Sequence, residues 1–491
     1  MTRPGIAALI LIASACGRAK SGDQLAHAYC AACHEFPDPS LLDKRTWQNG
    51  VLPEMGPRLG VSSHSLYAEV RRNPHVQVLR HAVSDGEWQK IVAYYLAAAP
   101  DSLPRQHLPA EPQPDPAFFR VAPFVPHLQS SAVITLLKVD SANHRLFVGE
   151  AGSNLLRVFD WTGRLVTAVP VGSPPTGAIV DGNRVLLLLS GILDPNDEAK
   201  GSLVEYEWSG ATLKPGRVLI DSLYRPVFVG RSRHDFVICE YGNNLGRLAL
   251  YRPNGDQYER HVLAQSPGAI RFELHDLTGD GVPDLVALFA QGDERIVMFP
   301  GDSGGNFGAP RVLARFPPVY GSMHFEMHDF NGDGKLDIVY VNGDNFDFSR
   351  ILKPYHGVRI LENDGQNNFV ERYFYPVYGA AQTAVADFDG DGDLDILVAS
   401  NFAAPGHAER GMIYLENEGG PGYRFQPYSF KAAEGNQWNV MALGDLNGDG
   451  RPDAIVGAMS LANIAHGQRY GGHGIQKDKI ALLLFENRGL R

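Results

Sequence analysis

Two hydrophobic periodicities divide the chain. Between residues 21 and 34, Leu25, Ala28, Tyr29 and Ala32 recur at helical spacing. Trp88, Ile91, Val92, Tyr95 and Leu96 repeat at i, i+3, i+4, i+7 and i+8, one apolar stripe of a second helix. Ser84 followed by Glu87 has the form of a capping box, and Pro100 ends the stripe. Residues 101–116 are so rich in proline that they predict a semi-rigid, extended linker. From about residue 117 onward, short apolar runs alternate with turn residues, which predicts strands.

The strand region repeats. Phe272-Glu-Leu-His-Asp276 recurs as Phe325-Glu-Met-His-Asp329, and Ile360-Leu-Glu-Asn363 recurs as Tyr414-Leu-Glu-Asn417 and Leu484-Phe-Glu-Asn487. A period of about 53–58 residues suits one four-stranded propeller blade. Earlier strands at Arg145–Gly149, Arg184–Leu189 and Phe236–Cys239 keep the rhythm. With the later repeats they predict seven blades, with six and eight as the neighbouring counts. The last repeat lacks an outer strand, whereas 117–126 reads as a strand without a blade. It is expected to close the ring as the outer strand of the last blade. The expected organisation is therefore a small all-α domain at 16–100, a linker at 101–116 and an all-β propeller at 117–491.

Composition adds limits. The chain has 491 residues, 44% hydrophobic and 20% charged, with a formal net charge of −11, so no basic surface points to nucleic acid. Ahead of the first helix, Arg3, the apolar run Ile6–Ile12 and Ala13-Ser14-Ala15 form an export signal at 1–15. Cys16-Gly17 after it resembles a bacterial lipobox, although Ala13 stands where the family usually has Leu or Val. That resemblance implies lipidation of Cys16; the alternative is plain secretion. An exported protein, periplasmic or anchored at a bacterial outer membrane or extracellular, is expected. Membrane contact would come only through Cys16.

Cys30-Ala31-Ala32-Cys33-His34 has the spacing of covalent haem attachment, in which two thiols add to the haem vinyl groups and the histidine ligates iron. A redox dithiol and half a zinc site are the alternatives, and no second CxxC completes a zinc site. Cys239, the remaining cysteine, lies in an apolar run and reads as a buried thiol. The motif, a methionine in a proline-flanked loop and a C-terminal amphipathic helix together resemble the class I cytochrome c domain. The resemblance implies Met55 as distal ligand, with His64, His75 and His81 as competitors. It also implies electron transfer, since two axial ligands leave no open iron position.

Four segments share a second pattern. In them, oxygen-bearing side chains stand at positions 1, 3, 5 and 9: Asp276, Thr278, Asp280, Asp284; Asp329, Asn331, Asp333, Asp337; Asp387, Asp389, Asp391, Asp395; and Asp445, Asn447, Asp449, Asp453. Hard oxygens on alternate residues, with glycine at position 6, follow the ligand logic of a calcium loop. The twelfth-position glutamate and flanking helices of an EF-hand are missing, so strand–loop–strand hairpins are expected. Thr278 makes the first loop the weakest. These loops resemble the FG-GAP and VCBS-type repeats, which implies up to four structural Ca²⁺ ions in a β-propeller. His275 and His328, just before two of the loops, fit strand alternation more simply than metal ligation.

The leading expectation is an exported electron carrier with one covalent haem c and a calcium-stabilised propeller that docks a redox partner protein. One rival is a propeller dehydrogenase passing electrons to the haem, for which the sequence offers no paired acid–base or nucleophile signature. The other is an adhesion module with a redox-sensing haem. No catalytic residue is assigned, and whether the chain is an enzyme stays open at this point.

Overall fold

The structure is a computed structural model that describes residues 20–489 apart from 64, 77–81, 127, 129–132, 345–350, 421 and 461–479. The export signal, Cys16, His64, His81 and the glycine-rich stretch 469–474 lie outside the described residues.

The N-terminal part is helical: α1 (Gly22–Cys30), α2 (Lys44–Thr46), a π-helical turn at Trp47–Val51, α3 (Leu52–Arg58), α4 (Tyr67–Arg72) and α5 (Asp85–Ala98). Capping boxes open α1 at Ser21/Gln24 and α5 at Ser84/Glu87. α1 packs directly on α5 because Gly22 has no side chain; a Cβ there would lie 2.2 Å from the Lys90 carbonyl oxygen. Leu25, Trp47, Trp88, Ile91 and Tyr95 fill the core between them. Two of them also satisfy their polar ends, Trp47 Nε1 donating to Pro39 O at 2.8 Å and Tyr95 Oη to Pro37 O at 3.0 Å.

Two local expectations change. The first helix stops at Cys30 and leaves Ala31–His34 in a turn. Met55 sits in α3 and not in a loop, because Pro53 falls in the first turn of that helix, where its missing N–H costs nothing.

Residues 134–487 form a seven-bladed β-propeller. Its blades span 134–170, 175–223, 226–264, 269–315, 322–376, 380–429 and 438–487. Each of the first six carries four strands, while the seventh has three and takes its outermost from Phe119–Pro123, antiparallel to Leu482–Asn487. Phe119 packs its ring against Phe388, Tyr414, Phe430 and Phe485, so closure buries an aromatic cluster as well as an edge. The proline-rich linker is strapped down. Gln113–Pro114 adds a parallel fifth strand to blade 6, and Gln106 Nε2 donates to His356 O at 2.7 Å. Proline is tolerated there because the strand is an outer edge.

First strands of neighbouring blades contact one another around a central channel. The acidic loops join first to second strands on one face. On the other face lie the connections from second to third strands and from blade to blade. In every blade the first residue after the second strand donates its N–H across this face to the segment preceding the first strand, at 2.8–3.2 Å. The helical part sits on this second face: Val319, Ile351 and Tyr355 join its core cluster, and Tyr355 Oη donates to Leu41 O at 3.0 Å. Among the described residues no helix is long and apolar enough to cross a membrane.

Candidate functional sites

The Cys30–His34 turn is built by the end of α1 against α5. Cys30 is half-buried beside Tyr29, Phe36 and Met55 on one core cluster, and Cys33 is exposed. Burial pushes the Cys30 thiol up to about 11, against a hydrogen bond with Tyr95 that lowers it. A redox dithiol depends on a stabilised thiolate, so this thiol has the opposite character. Cys239 is fully buried in blade 3, in a different core cluster. His34 Nδ1 lies 2.8 Å from Glu35 O. As donor to that carbonyl it leaves Nε2 as a bare lone pair, the arrangement seen when an imidazole is held for metal ligation by its other nitrogen.

Two further polar groups of the helical part stand out. Arg58, on the same helix as Met55, has a buried Nε with no hydrogen-bond acceptor. His75 is exposed. In blade 2, burial raises the Asp197 carboxyl, but bonds from Leu245 N and from the side chain and N–H of Asn244 outweigh it and hold the carboxyl low.

The acidic loops share one internal geometry. Position-1 carboxylates cap the loop from within, as Asp387 accepts from Gly390 N at 2.7 Å and Gly392 N at 3.0 Å. Position-3 and position-5 side chains accept from the residue two further on: Asn331 from Asp333 N, Asp389 from Asp391 N, Asp280 from Val282 N, Asp449 from Arg451 N. Thr278 makes no such bond with its hydroxyl among those observed. The sixth-position glycines carry φ from 81° to 98°, which lets the chain fold back. In blade 6, Asp387, Asp389 and Asp395 bring carboxylate oxygens within 4.8 Å of one another. Burial, then the charges of Asp391, Glu416 and Asp387, push Asp389 up to about 6. A hard cation relieves that repulsion.

The ninth position has a second job that the sequence reading missed. Asp284, Asp337, Asp395 and Asp453 are at most 1% exposed. Asp337 accepts from Asn363 N at 2.9 Å, Asp395 from Asn417 N at 2.8 Å and Asp453 from Asn487 N at 2.8 Å. These asparagines close the Leu-Glu-Asn and Phe-Glu-Asn repeats. The two repeated motifs are thus halves of one pin that ties the loop to the end of the third strand. Their joint recurrence, with one asparagine motif following each of the last three acidic loops, was the available signal.

His275 and His328 are each held by a glutamate two residues earlier. His275 Nε2 lies 2.9 Å from Glu273, and His328 Nε2 lies 3.2 Å from Glu326. Glu273 also accepts from Met327 N in the next blade at 3.1 Å, so these pairs latch blades together along the channel.

Residues 276–340 and 341–398 match the FG-GAP-like repeat. Among solved structures, similar chains include one in the complex of an S. cerevisiae Dbp5 variant bound to Nup159, a Gle1 variant, IP6 and ADP, at 11% identity and TM-score 0.44, covering 78% of this chain and 98% of that chain. Another is a luciferin-regenerating enzyme, at 13% identity and TM-score 0.37, covering 57% of this chain and 88% of that one. No curated protein matches the chain.

Proposed function

We propose that this chain is an exported c-type haem electron-transfer protein whose calcium-stabilised FG-GAP-type propeller docks a redox partner. The observation that carries the reading is the Cys30–His34 turn packed on α5, with Met55 on the same core cluster. The residues fit the group. Two thiols are free, one exposed and one half-buried, and the His34 Nε2 is unengaged. The buried, unpaired Arg58 Nε would gain its acceptor from a haem propionate. When bound, haem c supplies a one-electron redox couple. Cys30 and Cys33 would hold it covalently, His34 and Met55 would be its axial ligands, and α1 and α5 would exclude water from it.

Calcium belongs to the same reading. Positions 1, 3, 5 and 9 of the four acidic loops would hold up to four ions in a structural role, best in blade 6, where three carboxylates converge. Export and lipidation at Cys16 complete it.

Met55→Ala tests the iron assignment. Its expected outcome is a shift of the visible spectrum toward high spin and a lower reduction potential, with the haem still attached after acid-acetone extraction. An unchanged spectrum and potential would assign the sixth ligand elsewhere, His75 being the described alternative.

A further inference from the structure

Five asparagine–glycine pairs lie along the chain: Asn49–Gly50, Asn254–Gly255, Asn331–Gly332, Asn342–Gly343 and Asn447–Gly448. At such a pair the glycine nitrogen can attack the asparagine side-chain carbon, because no Cβ shields it. The fold decides where that nitrogen is free.

Three pairs are guarded. Asn49–Gly50 lies within the π-helical turn Trp47–Val51. Asn342 is fully buried, its Nδ2 donates to Tyr320 O and Tyr355 O, and Gly343 N donates to Gly321 O at 2.8 Å. Neighbouring backbone also crowds that peptide, since a Cβ on Gly343 would lie 2.2 Å from Ala380 O. Asn447–Gly448 belongs to the acidic loop of blade 7. There Asp445 Oδ1 accepts from Gly448 N at 2.7 Å, and Asn447 Nδ2 donates to Asp449 Oδ2 at 3.1 Å. The His144 ring stands 3.3 Å from where a Cβ on Gly448 would lie.

Asn331–Gly332 occupies the same loop positions in blade 5, within the same Asn-Gly-Asp-Gly sequence, but without these guards. Gly279, Gly390 and Gly448 each donate to the first aspartate of their loop at 2.7 Å. In blade 5, Asp329 accepts from Asp333 N and Gly334 N, and among the described residues Gly332 N has no acceptor. A Cβ on Gly332 would meet nothing within 4 Å, so the nitrogen lies in open space. Asn331 is exposed, and its Oδ1 accepts from Asp333 N at 3.0 Å. The small ring closed by that bond runs through both Asn331 Cγ and the Gly332 nitrogen, which keeps the side chain turned along the backbone. Asn254–Gly255, in the hairpin turn of blade 3, is equally exposed and open.

We propose that Asn331 is a modification site, at which the side-chain amide is lost by hydrolysis through a cyclic imide. The Gly332 nitrogen bonds to Asn331 Cγ, gives up its proton and expels the side-chain nitrogen as ammonia. Water then opens the imide at one of its two carbonyls. Opening at Cγ leaves aspartate at 331, a carboxylate where blade 6 carries Asp389. Opening at the backbone carbonyl leaves isoaspartate, which lengthens the loop. In sum, amide and water give carboxylate and ammonia, and the third position of the loop gains a negative charge. The proposal rests on the bonds of the loop alone and stands apart from the haem and calcium readings.

The test uses the full-length protein at mildly alkaline pH, with chelator so that the loops are compared in one ionic state. A second sample is held in denaturant. Peptide mapping by mass spectrometry follows the amide-to-acid conversion at each pair. In the folded protein Asn331 should convert about tenfold faster than Asn447, because a hydrogen bond to a carboxylate must first break at Gly448. In denaturant the two should converge, which would assign the difference to the fold. Conversion at Asn254 shows that the conditions suffice. Equal rates at Asn331 and Asn447 in the folded protein, conversion at Asn254 with none at Asn331, or a gap that survives in denaturant would each overturn the proposal.

Discussion

The ninth-position aspartates separate two roles that the sequence merges. Asp395 accepts from Phe388 N at 3.0 Å, from Tyr414 Oη at 2.8 Å and from Asn417 N at 2.8 Å, and it is fully buried. Asp391 is exposed in the loop and, among the described residues, accepts from Asp393 N alone. Asp395→Ala should therefore destabilise the protein by about 2–4 kcal/mol even in chelator, because several buried donors lose their acceptor together. Asp391→Ala should cost stability only when calcium is present, where its effect is loss of linked binding. Chemical denaturation with and without chelator reads both; equal losses in both buffers for Asp391→Ala would remove calcium from that loop. The alternation of acidic residues was legible in the sequence, but burial was not, because it depends on where the third strand ends. Glu294 is a second case that pattern could not reveal. Its carboxylate accepts from Gly321 N, Ser322 N and Ser322 Oγ, the last at 2.5 Å, yet burial pushes it up to about 7 from 4.5. A carboxyl whose folded pKa is raised contributes stability that is full below its unfolded value and is lost as pH rises toward the folded one. Stability should fall between about pH 4.5 and pH 7, and Glu294→Gln should flatten that fall; an unchanged slope in the variant would assign it to other groups.

Helices and strands were legible to the extent that one face of each meets a core. The α5 stripe reads directly because Trp88, Ile91 and Tyr95 are all buried. The first helix was read too long, since Ala31 and Ala32 keep the apolar pattern but are exposed in the turn beyond Cys30. Hydrophobicity alone does not distinguish a small exposed alanine from a packed one. The crossing of α1 and α5 shows the same limit. Gly22 looks like an ordinary helix-start residue, yet it sits where a Cβ would overlap the Lys90 backbone. Gly22→Val should force the helices apart and destabilise the helical part by about 1–3 kcal/mol, in the range of core overpacking. The propeller should keep its own transition. Two separate melting steps, with only the lower one displaced, are the result to look for in calorimetry; an unmoved profile would show that the crossing is loose. In the strands, short apolar runs between turn residues pointed to the core, as the wholly buried second strands show, whereas the inter-blade bonds of Glu273, Glu326 and Gln382 needed the register of neighbouring sheets to become visible.

Ring closure joins these levels. An open seventh blade would expose the backbone groups of Leu482–Asn487 and leave Phe485 and Phe388 without the ring of Phe119. Five residue pairs from Phe119 to Pro123 cover that edge, and Arg488 N extends the seam by donating to Phe118 O at 2.8 Å. The strand belongs to the far end of the chain from the blade it completes, so the two termini of the propeller hold each other. Long-range pairing of this kind constrains the unfolding of every blade between its partners. A chain beginning near Asp115 loses the helical part and the Gln113–Pro114 strand but keeps the closing strand. It should remain a folded propeller with a cooperative transition. A chain beginning near Leu128 also loses Phe118 and Phe119 from the aromatic cluster and should aggregate or melt well below the longer one. Calcium should widen the gap, since the seventh blade carries the Asp445–Asp453 loop whose pin, Asn487, lies on the strand that Phe119 covers. Thermal denaturation of both chains with calcium and with chelator decides it: equal melting temperatures in both conditions would mean that the ring holds without its closing strand, and that the blades are secured by the inter-blade bonds along the channel instead.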